Sequence, residues 1–138
     1  MKKIALVTAM LMLVVCLAAC GSGISISEGK ETFTAFLECI KNEDYDGAAA
    51  LSHSENHISA SKIKDYVEKI ENNAGVDFSN GVEITLLLGF RSYISTSGAS
   101  LEMNGRLNID GKNFAFEVEF VRNNAGYGIC YFNISQVF

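Results

Sequence analysis

The chain is predicted to fold as an α+β domain, with three N-terminal helices packed on a curved four-stranded antiparallel sheet. Three observations carry that prediction. Apolar residues recur at helical spacing as far as Ile70, and then alternate with polar ones. The change of period falls at Asn80-Gly81, a turn pair. Asp110-Gly111 then sits between two alternating runs, which is a strong signal for a two-residue hairpin.

The first element is not part of the domain. Lys2 and Lys3 open the chain, and Ile4 to Ala18 contain no charge. That run suits a secretory signal segment and falls short of the roughly 20 apolar residues of a membrane-spanning helix. Leu17-Ala18-Ala19-Cys20 resembles the lipobox of bacterial lipoproteins, which signal peptidase II cuts just before the cysteine. The resemblance implies that residues 1–19 are a signal peptide and that Cys20 becomes the first mature residue, its thiol carrying a diacylglycerol. The protein would then be lipid-anchored on the extracytoplasmic side of the cell membrane. In the alternative, an ordinary signal peptide ends here and Cys20 is a chance residue. Cys16 is discarded under either reading. Two acyl chains are needed because a single chain binds a bilayer only marginally.

The mature part, Cys20 to Phe138, has 119 residues, the size of one domain. Losing Lys2 and Lys3 takes the 11 basic residues to 9 against 16 acidic, so the net charge of −5 becomes −7. That balance excludes nucleic acid as a partner and equally argues against electrostatic adhesion to anionic lipid. With no proline, turns fall to Gly, Asn, Asp and Ser. Residues 20–27 are expected to be the lipidated cysteine and a flexible tether. Gly21 to Ser27 would span about 15 Å as a random coil. The domain is placed at residues 28–138.

Phe33, Phe36, Leu37 and Ile40 make the buried stripe of the first helix, and Ser25 with Glu28 can form a capping box at its start. A short second helix follows in "NEDYDGAAALSHS", capped by Asn42 or Asp44. The third carries Ile63, Tyr66, Val67 and Ile70, begins at Ser59 or Ser61, and ends at Asn73-Ala74-Gly75.

In the first strand Ile84, Leu86 and Leu88 are expected to face inward, and the strand continues past Gly89 through Tyr93. Leu101, Met103 and Leu107 form the inward series of the second, and Phe114, Phe116, Val118 and Phe120 that of the third. Each strand thus has one apolar and one wet face. The Asp110-Gly111 turn pairs Leu107 with Phe114, Met103 with Val118 and Leu101 with Phe120. A three-residue loop, Asn124-Ala125-Gly126, pairs Phe120 with Cys130, Val118 with Phe132 and Phe116 with Ile134. A shorter or longer loop would turn Asn133 inward.

"ETFTAFLECIKNEDYDGAAALSHS" resembles the opening of the nuclear-transport-factor-two-like (cystatin-like) superfamily, and more narrowly its small secreted lipoproteins of unassigned function. The matching features are the Phe-rich first helix, Asn42-Glu43-Asp44-Tyr45, and the small residues Ala48 to Ala50. The resemblance implies that the sheet wraps the long helix into a cone whose mouth can hold a ligand or active site.

Few residues suggest chemistry. His53 and His57 stand four apart around Glu55, but the zinc-protease pattern needs Glu next to the first His. They are expected to be exposed connector residues, so no metal site, catalytic residue or cofactor is expected. Tyr45, Tyr66 and Tyr93 could bring hydroxyls to the rim of the cone. Glu102, Glu117 and Glu119 read as a solvated face, with Arg106 diagonal to Glu117. Glu102 opposite Glu119 disfavours sheet-to-sheet pairing, so a monomer is expected. Cys39 and Cys130 are the candidate disulfide in an exported protein, against the alternative that both are small buried apolar residues. Two functions remain open: a non-catalytic, membrane-tethered module that binds an extracytoplasmic protein or a small ligand, and an enzyme or carrier holding a small apolar ligand in the cone.

Overall fold

A computed structural model of the protein describes residues 23–138. Leu17, Ala18, Ala19 and Cys20 lie outside the described residues.

Helix α1 spans Ile26–Lys41. Ser25 caps it by accepting the Glu28 N–H at 3.1 Å, as its capping-box signature predicts. The reciprocal half of the box does not form, because the Glu28 carboxylate pairs with Arg122 at 3.1 Å instead. Ile24 is buried and the helix takes up Ile26 and Ser27. The domain therefore begins earlier than residue 28, and the predicted tether is shorter than Gly21 to Ser27. α1 lies close on the sheet at Gly29, where a Cβ would stand 2.6 Å from Leu101 Cδ2 and 2.8 Å from Met103 Sδ. Helix α2, Tyr45–Ala50, is capped by Asp44, and α3, Ala60–Ala74, by Ser59. Gly75, at φ 64°, supplies the left-handed residue that stops α3.

Strands β1 (Val82–Ser95), β2 (Gly98–Ile109), β3 (Lys112–Asn123) and β4 (Gly126–Gln136) form one antiparallel meander in chain order. The β2–β3 register agrees with prediction at all three pairs, Leu107 with Phe114, Met103 with Val118 and Leu101 with Phe120. Asp110 and Gly111 both take positive φ, as the tight hairpin twist requires.

Two predictions about the sheet need correction, and a β-bulge is the cause each time. Asn123 pairs with Gly126, so the β3–β4 loop has two residues and not three. Phe120 then meets Ile129, and a bulge at Cys130 restores Val118 with Phe132 and Phe116 with Ile134. Ile129 fills the core position expected of Cys130. In β1, register shifts follow Ile84 and Leu87. Each adds a residue and breaks the alternation. Leu86 and Leu88 are consequently 51% and 59% exposed, and Leu87 packs on the core in their place.

Rings from helices and sheet lock the layers together. Phe33 lies 5.0 Å from Phe116, Phe36 4.9 Å from Phe132, and Tyr66 5.1 Å from Phe132, the last two edge-on. The free edge of β4 is sealed at two places. The His53 N–H donates to Ile129 O at 2.8 Å, and the Ile129 N–H to Leu51 O at 2.9 Å. Further along, Tyr66 Oη accepts the Ile134 N–H at 2.7 Å and donates to Ile134 O at 3.1 Å. Such capping keeps an edge strand from recruiting other chains.

Candidate functional site

Side chains occupy the interior of the cone. Leu101, Met103, Leu107, Phe114, Phe116 and Phe120 are fully buried against Phe33, Phe36 and Ile40. The polar groups reaching this core are spent on structure. Thr32 Oγ1 donates to Glu28 O at 3.0 Å, so the Tyr127 hydroxyl donates to Thr32 at 2.9 Å. Burial pushes the Tyr127 phenol up to about 12. Sequence reasoning overlooked Tyr127, because an aromatic residue beside a glycine-rich turn carries no distinguishing mark.

The tyrosines expected at the rim are separated. Tyr45 is half-buried, and Tyr93 is exposed on β1. Tyr66 ties α3 to β4, and burial raises its phenol. Tyr66 also lines an open groove of about 320 Å³ with Lys69, Asn73, Phe114, Asn133 and Gln136. Its hydroxyl is already bonded to Asn133 Oδ1 and to both backbone groups of Ile134.

The histidines depart from expectation. His57 is exposed, but His53 is only 1% exposed. His53 caps the short 3-10 turn Ser54–Asn56, its Nδ1 accepting the Glu55 N–H at 3.1 Å. Nε2 therefore carries the proton and lies 3.0 Å from Asn123 Oδ1 and 3.2 Å from Gly126 O. Asn123 in turn donates to Glu55 Oε2 at 2.9 Å. The chain of bonds fastens the connector to the β3–β4 turn and leaves neither His53 nitrogen free. The His57 ring instead lies on Ser52 Oγ, at 3.2 Å. Among the described residues no group of three or more His, Cys, Asp or Glu could hold a metal ion.

Cys39 and Cys130 are both free, so the candidate disulfide is not formed. The bulge accounts for this, since it sets the Cys130 thiol 3.5 Å from Glu119 O instead of into the core. Burial pushes both thiols up to about 11, with Asp44 adding to the effect at Cys39 and Glu119 at Cys130. High thiol pKa values make both poor nucleophiles at neutral pH.

Of the large apolar residues exposed among the described residues, most lie on β1. Phe90 and Ile94 face Met103 and Ala99, so they belong to the inner face of the sheet, yet both are open to solvent. Leu86 and Tyr93 are exposed on the other face. Near the end of this strand Arg122, opposite Ala99 on the neighbouring pair, holds the start of the described chain. One guanidinium nitrogen donates to Gly23 O at 2.8 Å and another to Glu28 Oε2 at 3.1 Å. The group also stacks on the Tyr127 ring, 4.8 Å from its centre. A partly buried, two-pronged Arg contact of this kind is much firmer than the open Arg91–Glu102 pair at 3.9 Å. Arg122 was invisible in the sequence because its partners lie far from it along the chain.

No protein-family model matches the chain, and no curated protein matches it. Solved structures are similar at low identity. An NTF2-like protein with a cystatin-like fold from Novosphingobium aromaticivorans is 10% identical, with a TM-score of 0.49 over 78% of this chain and 79% of that one. An NTF2-like protein of unknown function from Pseudomonas putida is 11% identical, with a TM-score of 0.48 over 81% and 86%. A Streptomyces avermitilis protein of the NTF2-like family, whose name proposes dehydratase activity, is 12% identical, with a TM-score of 0.47 over 78% and 91%.

Proposed function

We propose that the protein is an extracytoplasmic lipoprotein of the cell membrane, tethered through acyl chains on Cys20, whose domain serves as a non-catalytic binding or protein-interaction module. The observation that carries the module reading is the filled cone. A small-molecule site of ordinary size needs several hundred Å³ of concave, mostly apolar space with a few convergent polar groups. Here Phe33, Phe36, Phe114, Phe116 and Phe120 take that space, and the buried tyrosine and histidine are spent on structural bonds. The anchor reading rests on Lys2 and Lys3, the uncharged run to Ala18, and Leu17-Ala18-Ala19-Cys20. The module works as a monomer, since Glu102 lies directly opposite Glu119 in the middle of the exposed sheet face.

Native mass spectrometry of the protein purified from its own membrane tests the module against the carrier. The module reading expects a single mass, that of the acylated polypeptide. A second species that retains a small apolar molecule in one-to-one ratio would overturn it.

A further inference from the structure

We infer that the β1–β2 end of the domain, with Ile94 and Tyr93 on its two faces, meets the bilayer end-on and presses these side chains into the headgroup region. The inference rests on the lipoprotein reading of Cys20.

The position of Gly23 is the main reason. Gly23 is three residues after Cys20. Three residues reach at most about 11 Å when fully extended, so the acylated cysteine cannot leave the neighbourhood of Gly23. Gly23 itself does not swing freely. Its carbonyl is held by Arg122, and a Cβ built on it would stand 3.1 Å from Ile94 Cδ1. The anchor and Ile94 therefore share one end of the domain. Ile94 is 64% exposed and Tyr93 50% exposed. Their chemistry suits a membrane interface. Tyr is enriched there, and apolar side chains gain by entering the acyl boundary to a depth of about 5–10 Å. The strand runs into its turn through Ser95, Thr96 and Ser97, where the Ser95 and Ser97 hydroxyls bond each other at 2.9 Å and Thr96 is exposed.

Two other occupants fit less well. The apolar run Ile4 to Ala18 is cut away in the same reading that acylates Cys20, so it cannot cover this end. A second copy adding a strand along the whole of β1 would meet bulges after Ile84 and Leu87 and find a regular ladder only from Gly89 to Ser95, a short stretch for stable pairing. With a mature net charge of −7, contact with the bilayer must be apolar in the main and not electrostatic.

The chain has no tryptophan, so a single introduced one reports its own position. Full-length, acylated protein would be reconstituted in liposomes as Ile94→Trp, as Tyr93→Trp, and as Asn113→Trp. Asn113 lies at the other end of the sheet, about 30 Å along the strands. Lipids with brominated acyl chains should quench Ile94→Trp or Tyr93→Trp emission by about half or more, as an interfacial depth requires, and leave Asn113→Trp unchanged. Should Ile94→Trp fold badly, Tyr93→Trp carries the test alone. Equal quenching at both ends, or at neither, in protein whose mass confirms acylation would overturn the inference and leave the anchor standing. Emission that follows protein concentration and ignores bromine would assign the surface to a second copy. A mass without acyl chains would remove the anchor and this inference together.

Discussion

Removing one oxygen from Tyr66 should measurably loosen the sheet. In Tyr66→Phe the ring stays edge-on to Phe132 at 5.1 Å, so packing is kept. What goes is the hydroxyl that bonds the Ile134 N–H at 2.7 Å and the Ile134 carbonyl and Asn133 Oδ1 at 3.1 Å each. A net hydrogen bond is worth about 0.5–1.5 kcal/mol, and a buried backbone group left alone costs about 1–3 kcal/mol. Ile134 is itself buried, but the groove beside Tyr66 admits water to part of the site. The loss should therefore be about 1.5–2 kcal/mol, below the sum of three independent bonds. Urea unfolding of the soluble chain from Gly21 onward reads this as a midpoint lower by about 1 M at unchanged slope. Asn133→Ala, which removes only the shared acceptor, should cost less than half as much. A Tyr66→Phe midpoint within error of wild type would refute the claim that this hydroxyl seals the β4 edge. A changed slope would mean that the packing had moved as well.

Other expectations can be checked on the same soluble chain. Thiol labelling without reductant should find two reactive cysteines, Cys39 and Cys130, after denaturation and slow reaction before it; no reactive thiol after denaturation would establish the disulfide. Stability should fall as pH rises above 9. Unfolded thiols and phenols ionise from about 9 and 10, while Cys39, Cys130 and Tyr127 stay protonated in the fold to about 11, 11 and 12, so the unfolded state releases protons first. A flat profile between pH 9 and 11 would contradict the burial of these groups. Gly29→Ala should destabilise by about 1–3 kcal/mol despite alanine's better helix propensity, because its methyl meets Leu101 and Met103; a thermal midpoint at or above wild type would show that α1 can lift away.

The parts of the fold that were legible in the sequence are those where local chemistry and burial agree. The Phe33/Phe36/Leu37/Ile40 stripe, the Ser25, Asp44 and Ser59 caps and the Gly75 stop each satisfy a backbone requirement within one turn. The β2–β3 hairpin was legible because Asp110-Gly111 and two apolar faces admit one register. Bulges defeat that logic. A three-residue loop, and a two-residue loop followed by a bulge, place Phe132 and Ile134 identically, and differ only in whether Ile129 or Cys130 faces the core. In Leu86-Leu87-Leu88 no alternation survives to show which leucine turns inward. The burial of His53 and the grip of Arg122 on Gly23 depend on contacts between distant parts of the chain, which periodicity does not report.

Membrane attachment turns on the chemical state of Cys20. The N-terminal peptide of the protein, extracted from membranes with detergent and weighed, should begin at Cys20 and carry a thioether-linked diacylglycerol. Cys20→Ser should then abolish that species and send the protein to the aqueous fraction or leave it unprocessed. A peptide that begins elsewhere, or a free Cys20 thiol on protein that still partitions with detergent, would contradict the account.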